Sequence, residues 1–265
     1  MRIYYRKAVF LLLLITFLPS LAQAKTCCCE KRTVPLCVSP TQHLPSWYMD
    51  AGLGWVFKQK LGTSYLANVD EPADQYTSPK VNKVAAGSLS GGYVWSRPKK
   101  WLPFTSLGLE YSYYMPAKVK GVIEENSDPE MANLNYKYKV AHHNLHLIGK
   151  ADLYRWKNFM PYVSGGAGVS WNRVSDYSEE QTAEGEVSRA NPEFANKTKP
   201  NFSYSLGTGV DYVFTKNLWG GLGYRFDHFG RGKTGDTTNE KFLDKNLKNT
   251  SHAHTMLFSL RYLFA

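Results

Sequence analysis

Thr255-Met256-Leu257-Phe258-Ser259-Leu260-Arg261-Tyr262-Leu263-Phe264 is the stretch whose reading decides the fold. Every even position from Met256 to Phe264 is large and apolar or aromatic, while the odd positions include Thr255, Ser259 and Arg261. Alternation with period two describes a β-strand with one apolar and one polar face.

Seven segments upstream alternate in the same way, at about 47–57, 83–95, 103–114, 135–154, 159–174, 201–214 and 218–229, with the last strand at about 251–264. In the first, Met49, Ala51, Leu53 and Trp55 oppose Asp50, Gly52 and Gly54. In the sixth, Phe202, Tyr204, Leu206, Val210, Tyr212 and Phe214 oppose Ser203, Ser205, Gly207, Gly209 and Asp211. Three connections are short and turn-like: 96–100, 155–158 and 215–217. The other four, about 58–82, 115–134, 175–200 and 230–250, are long and polar. Short turns at one end and long loops at the other are the pattern of a transmembrane barrel with both termini in the periplasm. The expectation is an all-β chain, an eight-stranded antiparallel transmembrane β-barrel with short periplasmic turns and four long extracellular loops, over residues 45–265.

The N-terminus agrees with export. Arg2, Arg6 and Lys7 precede an apolar run from Ala8 to Leu18, and Ala22-Gln23-Ala24 is an A-x-A cleavage site, so residues 1–24 read as a signal peptide. No other apolar run approaches the roughly 20 residues that a membrane helix needs. A membrane-spanning mature chain must therefore close its strands into a barrel, because hydrocarbon leaves unpaired amides unsatisfied. Residues 25–44 form a Cys-rich tail expected in the periplasm. There Cys27, Cys28, Cys29 and Cys37 are disulfide candidates, within the segment or between chains. Three adjacent cysteines lack the spacing of a zinc knuckle. The 32 Lys and Arg outnumber 22 Asp and Glu. Export makes nucleic acid an unsuitable partner and leaves outer-membrane lipids and lipopolysaccharide as the nearer counterions. The 18 Tyr and 7 Trp suit aromatic girdles at two membrane interfaces.

The run Ser205-Leu206-Gly207-Thr208-Gly209-Val210-Asp211-Tyr212-Val213-Phe214-Thr215-Lys216-Asn217-Leu218, followed by Gly223-Tyr224-Arg225-Phe226-Asp227-His228-Phe229-Gly230, carries a resemblance. It is similar to the sixth-to-seventh strand hairpin of the outer-membrane β-barrel family of opacity-type porins and surface antigens and the transmembrane domain of outer-membrane protein A. The resemblance implies a small surface-exposed barrel that is adhesin-like, structural or at most a narrow pore, and it brings no catalytic residues. The last strand resembles the family's C-terminal signature, read by the barrel assembly machinery, with Phe264 followed here by Ala265. Lipid A deacylases are also eight-stranded barrels, with a catalytic His on the outer face and a Ser two residues on. His228 is placed similarly, but position 230 is Gly, so the nucleophile is missing. The expectation is that the chain is not an enzyme.

By strand parity the lumen charges are Asp50, Glu110, Lys150, Asp152, Asp211, Arg225, Asp227 and Arg261. Eight strands enclose a lumen that side chains just fill, and isolated charges there cost several kcal/mol. The three cations are therefore expected to pair with carboxylates, making either a polar plug or the lining of a gated pore. Inward Gly166, Gly168, Gly207, Gly209, Gly221 and Gly223 leave room for the second reading. His142 with His146, and His252 with His254, have the strand spacing of a metal pair, but the expectation is interfacial histidines, no metal and no cofactor. The long loops are expected to form the contact surface for host or surface ligands.

Overall fold

The structure, a computed structural model, describes residues 46–61, 63–67, 72–97, 99–181, 193–237 and 246–264. The signal segment and Cys27, Cys28, Cys29 and Cys37 lie outside the described residues.

Ten strands follow in chain order: β1 (Ser46–Leu61), β2 (Ser64–Leu66), β3 (Asp74–Val81), β4 (Val84–Ser96), β5 (Trp101–Glu124), β6 (Leu134–Tyr154), β7 (Phe159–Gln181), β8 (Lys197–Val213), β9 (Leu218–Lys233) and β10 (Lys248–Phe264). Eight of them, β1 and β4 to β10, form a closed antiparallel ring. Its seam runs between the first and last strands, from Trp47 opposite Phe264 to Leu61 opposite Ser251. Closure leaves no sheet edge to face hydrocarbon.

The expected strands are all present, and the connections at 155–158 and 215–217 are turns. Above the membrane the strands run further than the sequence reading placed them. β5 has 24 residues, β6 has 21 and β7 has 23, whereas crossing the bilayer takes about 9–11 tilted residues. The expected loops 115–134, 175–200 and 230–250 therefore begin as strand, to Glu124, Gln181 and Lys233, and the loop 58–82 contains the β2–β3 hairpin. The reason is visible in β5. Residues 117–123 still alternate, but with apolar Ala117, Val119 and Ile123 inside and Lys118 and Lys120 outside. Polarity changes sides at the bulge between Tyr114 and Ala117, with odd positions apolar both below and above it, and the lysines make the segment read as a charged loop.

β5 also changes partner. Beside the membrane it pairs with β4, from Phe104 to Tyr114; above it, Val119 to Glu124 pair with β3. β4 stops at Val84 and β3 continues the wall. The outer wall of the lower barrel is apolar, with Leu53 74% exposed and Leu89 and Phe258 nearly as open. Trp47, Trp95, Trp101, Phe159, Phe214 and Phe264 ring the periplasmic end. Phe57, Tyr111, Tyr204 and Tyr224 stand at the other end, giving two aromatic girdles.

Candidate functional site: the filled lumen

The lumen is stacked in layers, each set by inward positions on several strands. At the periplasmic mouth Tyr48, Val94, Phe104, Met160, Trp219 and Leu263 form an apolar plug. Phe104 and Trp219 meet edge-to-face at 4.7 Å.

Above the plug lies the first ionic layer. Arg261 Nε donates to Asp50 Oδ2 at 3.1 Å, with its guanidinium 4.4 Å from the Tyr48 ring centre. Cross-strand pairing explains this contact, because Asp50 and Arg261 are directly opposite on β1 and β10. Lys150 Nζ donates to Asp211 Oδ2 at 2.6 Å and lies 3.8 Å above the Tyr162 ring. Asp152 is 2% exposed, and its Oδ1 has no hydrogen-bond partner among the described residues.

Arg225 organises the next layer. Its Nη1 donates to Glu110 Oε1 at 2.5 Å, and its Nε is shared by Asp227 Oδ1 and Oδ2 at 2.9 and 3.1 Å. Its Nη2 reaches Ser112 Oγ at 3.1 Å, and Tyr114 donates its hydroxyl to Asp227 at 2.6 Å. A guanidinium with carboxylates on two sides uses its forked donors in the way a lysine could not. The structure thus brings together seven of the eight charges read from parity, as Asp50–Arg261, Lys150–Asp211 and Glu110–Arg225–Asp227. Asp152 stands outside these pairs.

Further up, His146 Nε2 meets Ser203 Oγ at 2.7 Å, and His142 Nδ1 meets Asn172 Oδ1 at the same distance. The His142 ring stacks on Phe229 at 3.9 Å. His142 and His146 are thus held by different partners. His252 and His254 point outward with ring centres 5.9 Å apart. No group of three or more His, Cys, Asp or Glu among the described residues is arranged to hold a metal. His228 faces outward and stacks on Tyr204 at 5.0 Å. Gly230 has φ +75°, and a side chain there would meet the Phe202 carbonyl at 2.9 Å, so a serine at this position would be strained.

Above the girdle the interior turns apolar again. Leu61, Leu66, Tyr76, Val119, Ile123, Leu134, Tyr136, Tyr138, Val140, Val174, Phe194 and Leu247 form one cluster that covers the lumen. Burial there pushes the Tyr136 phenol up to about 12.

The open space between the two ionic layers is small. A cavity of about 50 Å³ lies between the two ionic layers, bordered by Asp50, Lys150, Tyr162, Arg225 and Arg261. It has room for a few waters. The inward glycines do not leave a passage. A Cβ on Gly223 or Gly209 would fall 2.1 or 2.7 Å from the Tyr162 hydroxyl, so that side chain fills the space beside them. Sequence reading found the charges but not Tyr162, Tyr114 or Trp219, whose inward parity was readable and whose contacts across the lumen were not.

The sequence matches the outer membrane protein beta-barrel domain family over residues 10–258. Among solved structures it is similar to OprG from Pseudomonas aeruginosa, at 14% identity and a TM-score of 0.48, covering 83% of this chain and 96% of that one. Neisserial surface protein A aligns at 15% identity and a TM-score of 0.39, over 83% and 99%. Ail from Yersinia pestis aligns at 10% and 0.30, over 83% and 99%. No curated protein matches the chain. The family match spans nearly all of the sequence and accords with the closed ring, the apolar wall and the girdles: this chain belongs to the outer membrane protein β-barrel family and resides in the cell outer membrane.

Proposed function

We propose that this barrel works through its surface, as an envelope or contact protein whose extended extracellular β-wall and loops meet ligands outside the cell. The observation that carries the reading is the succession of packed layers along the lumen among the described residues. An apolar plug, two paired ionic layers and an extracellular core follow one another, with about 50 Å³ of open space between the ionic layers. Conduction would require the buried Arg225 and Arg261 pairs to part, and breaking a buried pair is costly. No catalytic role enters this reading, since His228 stacks on an aromatic ring and position 230 is a glycine.

The competing reading is a narrow passive channel gated by those same charges. Single-channel recording of the refolded protein in a planar bilayer separates the two. A correctly folded, electrically silent barrel is expected. Reproducible unitary steps that vanish on heat denaturation would transfer the function to the lumen.

A further inference from the structure

On the outward face of β5 and β6, just beyond the extracellular girdle, four lysines form a two-by-two array. Lys118 is directly opposite Lys139, and Lys120 is directly opposite Lys137. Like charges directly opposite on neighbouring strands destabilise a sheet, so the array calls for anions. Two are supplied by β7: Lys139 pairs with Asp176 at 2.8 Å, and Lys137 pairs with Glu180. Lys118 and Lys120 are exposed and make no ion pair among the described residues. Arg173, on β7 opposite Ala141, extends the patch and is likewise unpaired. The lysine stems and Asp176 border a cleft of about 360 Å³.

The position of the patch identifies its ligand. Tyr113 and His143 are opposite each other at the top of the apolar wall. Lys118 and Lys139 lie roughly 10–13 Å above them, given about 3.3 Å per residue and the usual strand tilt. That is headgroup depth, and the lysines project sideways from the wall rather than up into solvent. Beneath them on the same strands, Tyr111 faces Leu145 and Leu109 faces Leu147, giving an apolar track into the membrane. The surface is amphiphilic in one line, with cations above and hydrocarbon contacts below.

We propose that this face is a binding site for a phosphorylated glycolipid of the outer leaflet, its phosphates held by Lys118, Lys120, Lys137 and Lys139 and its acyl chains lying along the β5–β6 track. The inference rests on the outer-membrane placement of the chain, not on the surface-contact function proposed above. A soluble polyanion would use the cations alone and has no use for the leucines below them.

The test uses the mature chain refolded in phosphatidylcholine nanodiscs doped with bisphosphorylated lipid A, or with the same lipid after removal of its phosphates. After exchange into mild detergent and washing, wild type should retain bisphosphorylated lipid A and release the dephosphorylated form. The K118Q/K120Q/K137Q/K139Q variant should retain at least about tenfold less, since basic residues near an anionic surface each add to the attraction. Heat-dependent gel mobility reports that the variant barrel has folded. If it has not, K118Q/K120Q, which leaves both carboxylate pairs intact, should still reduce retention severalfold. Equal retention by the variant, or equal retention of the dephosphorylated lipid, would overturn the proposal. So would displacement of the lipid by millimolar inorganic phosphate, or capture of heparin through these lysines with no lipid retained.

Discussion

The lower and upper halves of this barrel are built on the same strands with their polarity exchanged. In the lower part of β6, Leu145 and Leu147 face outward while His146, Lys150 and Asp152 face in. In its upper part Lys137 and Lys139 face outward while Leu134, Tyr136, Tyr138 and Val140 are buried inside. The strand does not break between them, and its two-residue period continues. What changes is the medium outside: hydrocarbon below, water and headgroups above. In each half the outer face matches its surroundings. The lower lumen then has to satisfy charges by pairing, whereas the upper interior is an ordinary apolar core. In β6 the membrane boundary is thus written into the chain as a phase reversal of the alternation, whereas in β5 the apolar residues keep to odd positions and the faces exchange at the bulge between Tyr114 and Ala117.

The sharpest way to break this contrast is Arg225→Ala. It leaves Glu110 and Asp227 buried without their cation, and should cost about 3–5 kcal/mol in urea unfolding from lipid vesicles. A loss below about 1 kcal/mol would mean that the lumen is wetter than a cavity of about 50 Å³ suggests. Next comes Leu147→Arg, a charge on the outer wall below the girdle, expected to cost about 2–4 kcal/mol in the same assay.

The upper core should respond to alkali instead. Tyr136 in the fold titrates at about 12, above its usual 10.0 because of burial. A raised folded pKa favours the neutral phenol, so its contribution is complete below pH 10 and is lost as pH rises from 10 towards 12. The loss is about 2 kcal/mol at most. Protease cleavage within 119–140 should increase over that range while the heat-resistant gel form persists. Simultaneous loss of both would show one cooperative unit rather than two. The smallest effect is the mirror substitution Lys139→Leu, an apolar residue outside but above the girdle. It removes only an exposed pair with Asp176, worth about 0–1 kcal/mol. A cost matching that of Leu147→Arg would place the membrane boundary elsewhere.

The lower half was legible in the sequence because its signal is monotonous: large apolar residues at every second position, as in Met256 to Phe264, and short turns at 155–158 and 215–217. Parity alone gave the eight inward charges as an expectation. It did not supply their partners, because Arg225 meets Glu110 across the lumen, 115 positions away in the chain, and period-two reading carries no information about what lies opposite. Above the girdle the same method failed at 115–124 and 175–181. Lys118 and Lys120 looked like loop residues although Ala117 and Val119 keep the odd positions apolar, because the bulge between Tyr114 and Ala117 that turns the lysines outward has no signal in the period. The β2–β3 hairpin was missed for a different reason: Ser64–Leu66 is too short to show a period, and its pairing depends on β5 outgrowing β4.

The seam between β1 and β10 makes completeness a condition of residence. The ring closes between β1 and β10, the strands furthest apart in chain order among the described residues, so a chain cut short before residue 248 would leave both β1 and β9 with open rows of amide and carbonyl groups. In water such edges are tolerable; in hydrocarbon each orphaned group costs several kcal/mol. A truncated product therefore has no stable foothold in the membrane, and the topology discriminates against unfinished copies without any separate inspection step.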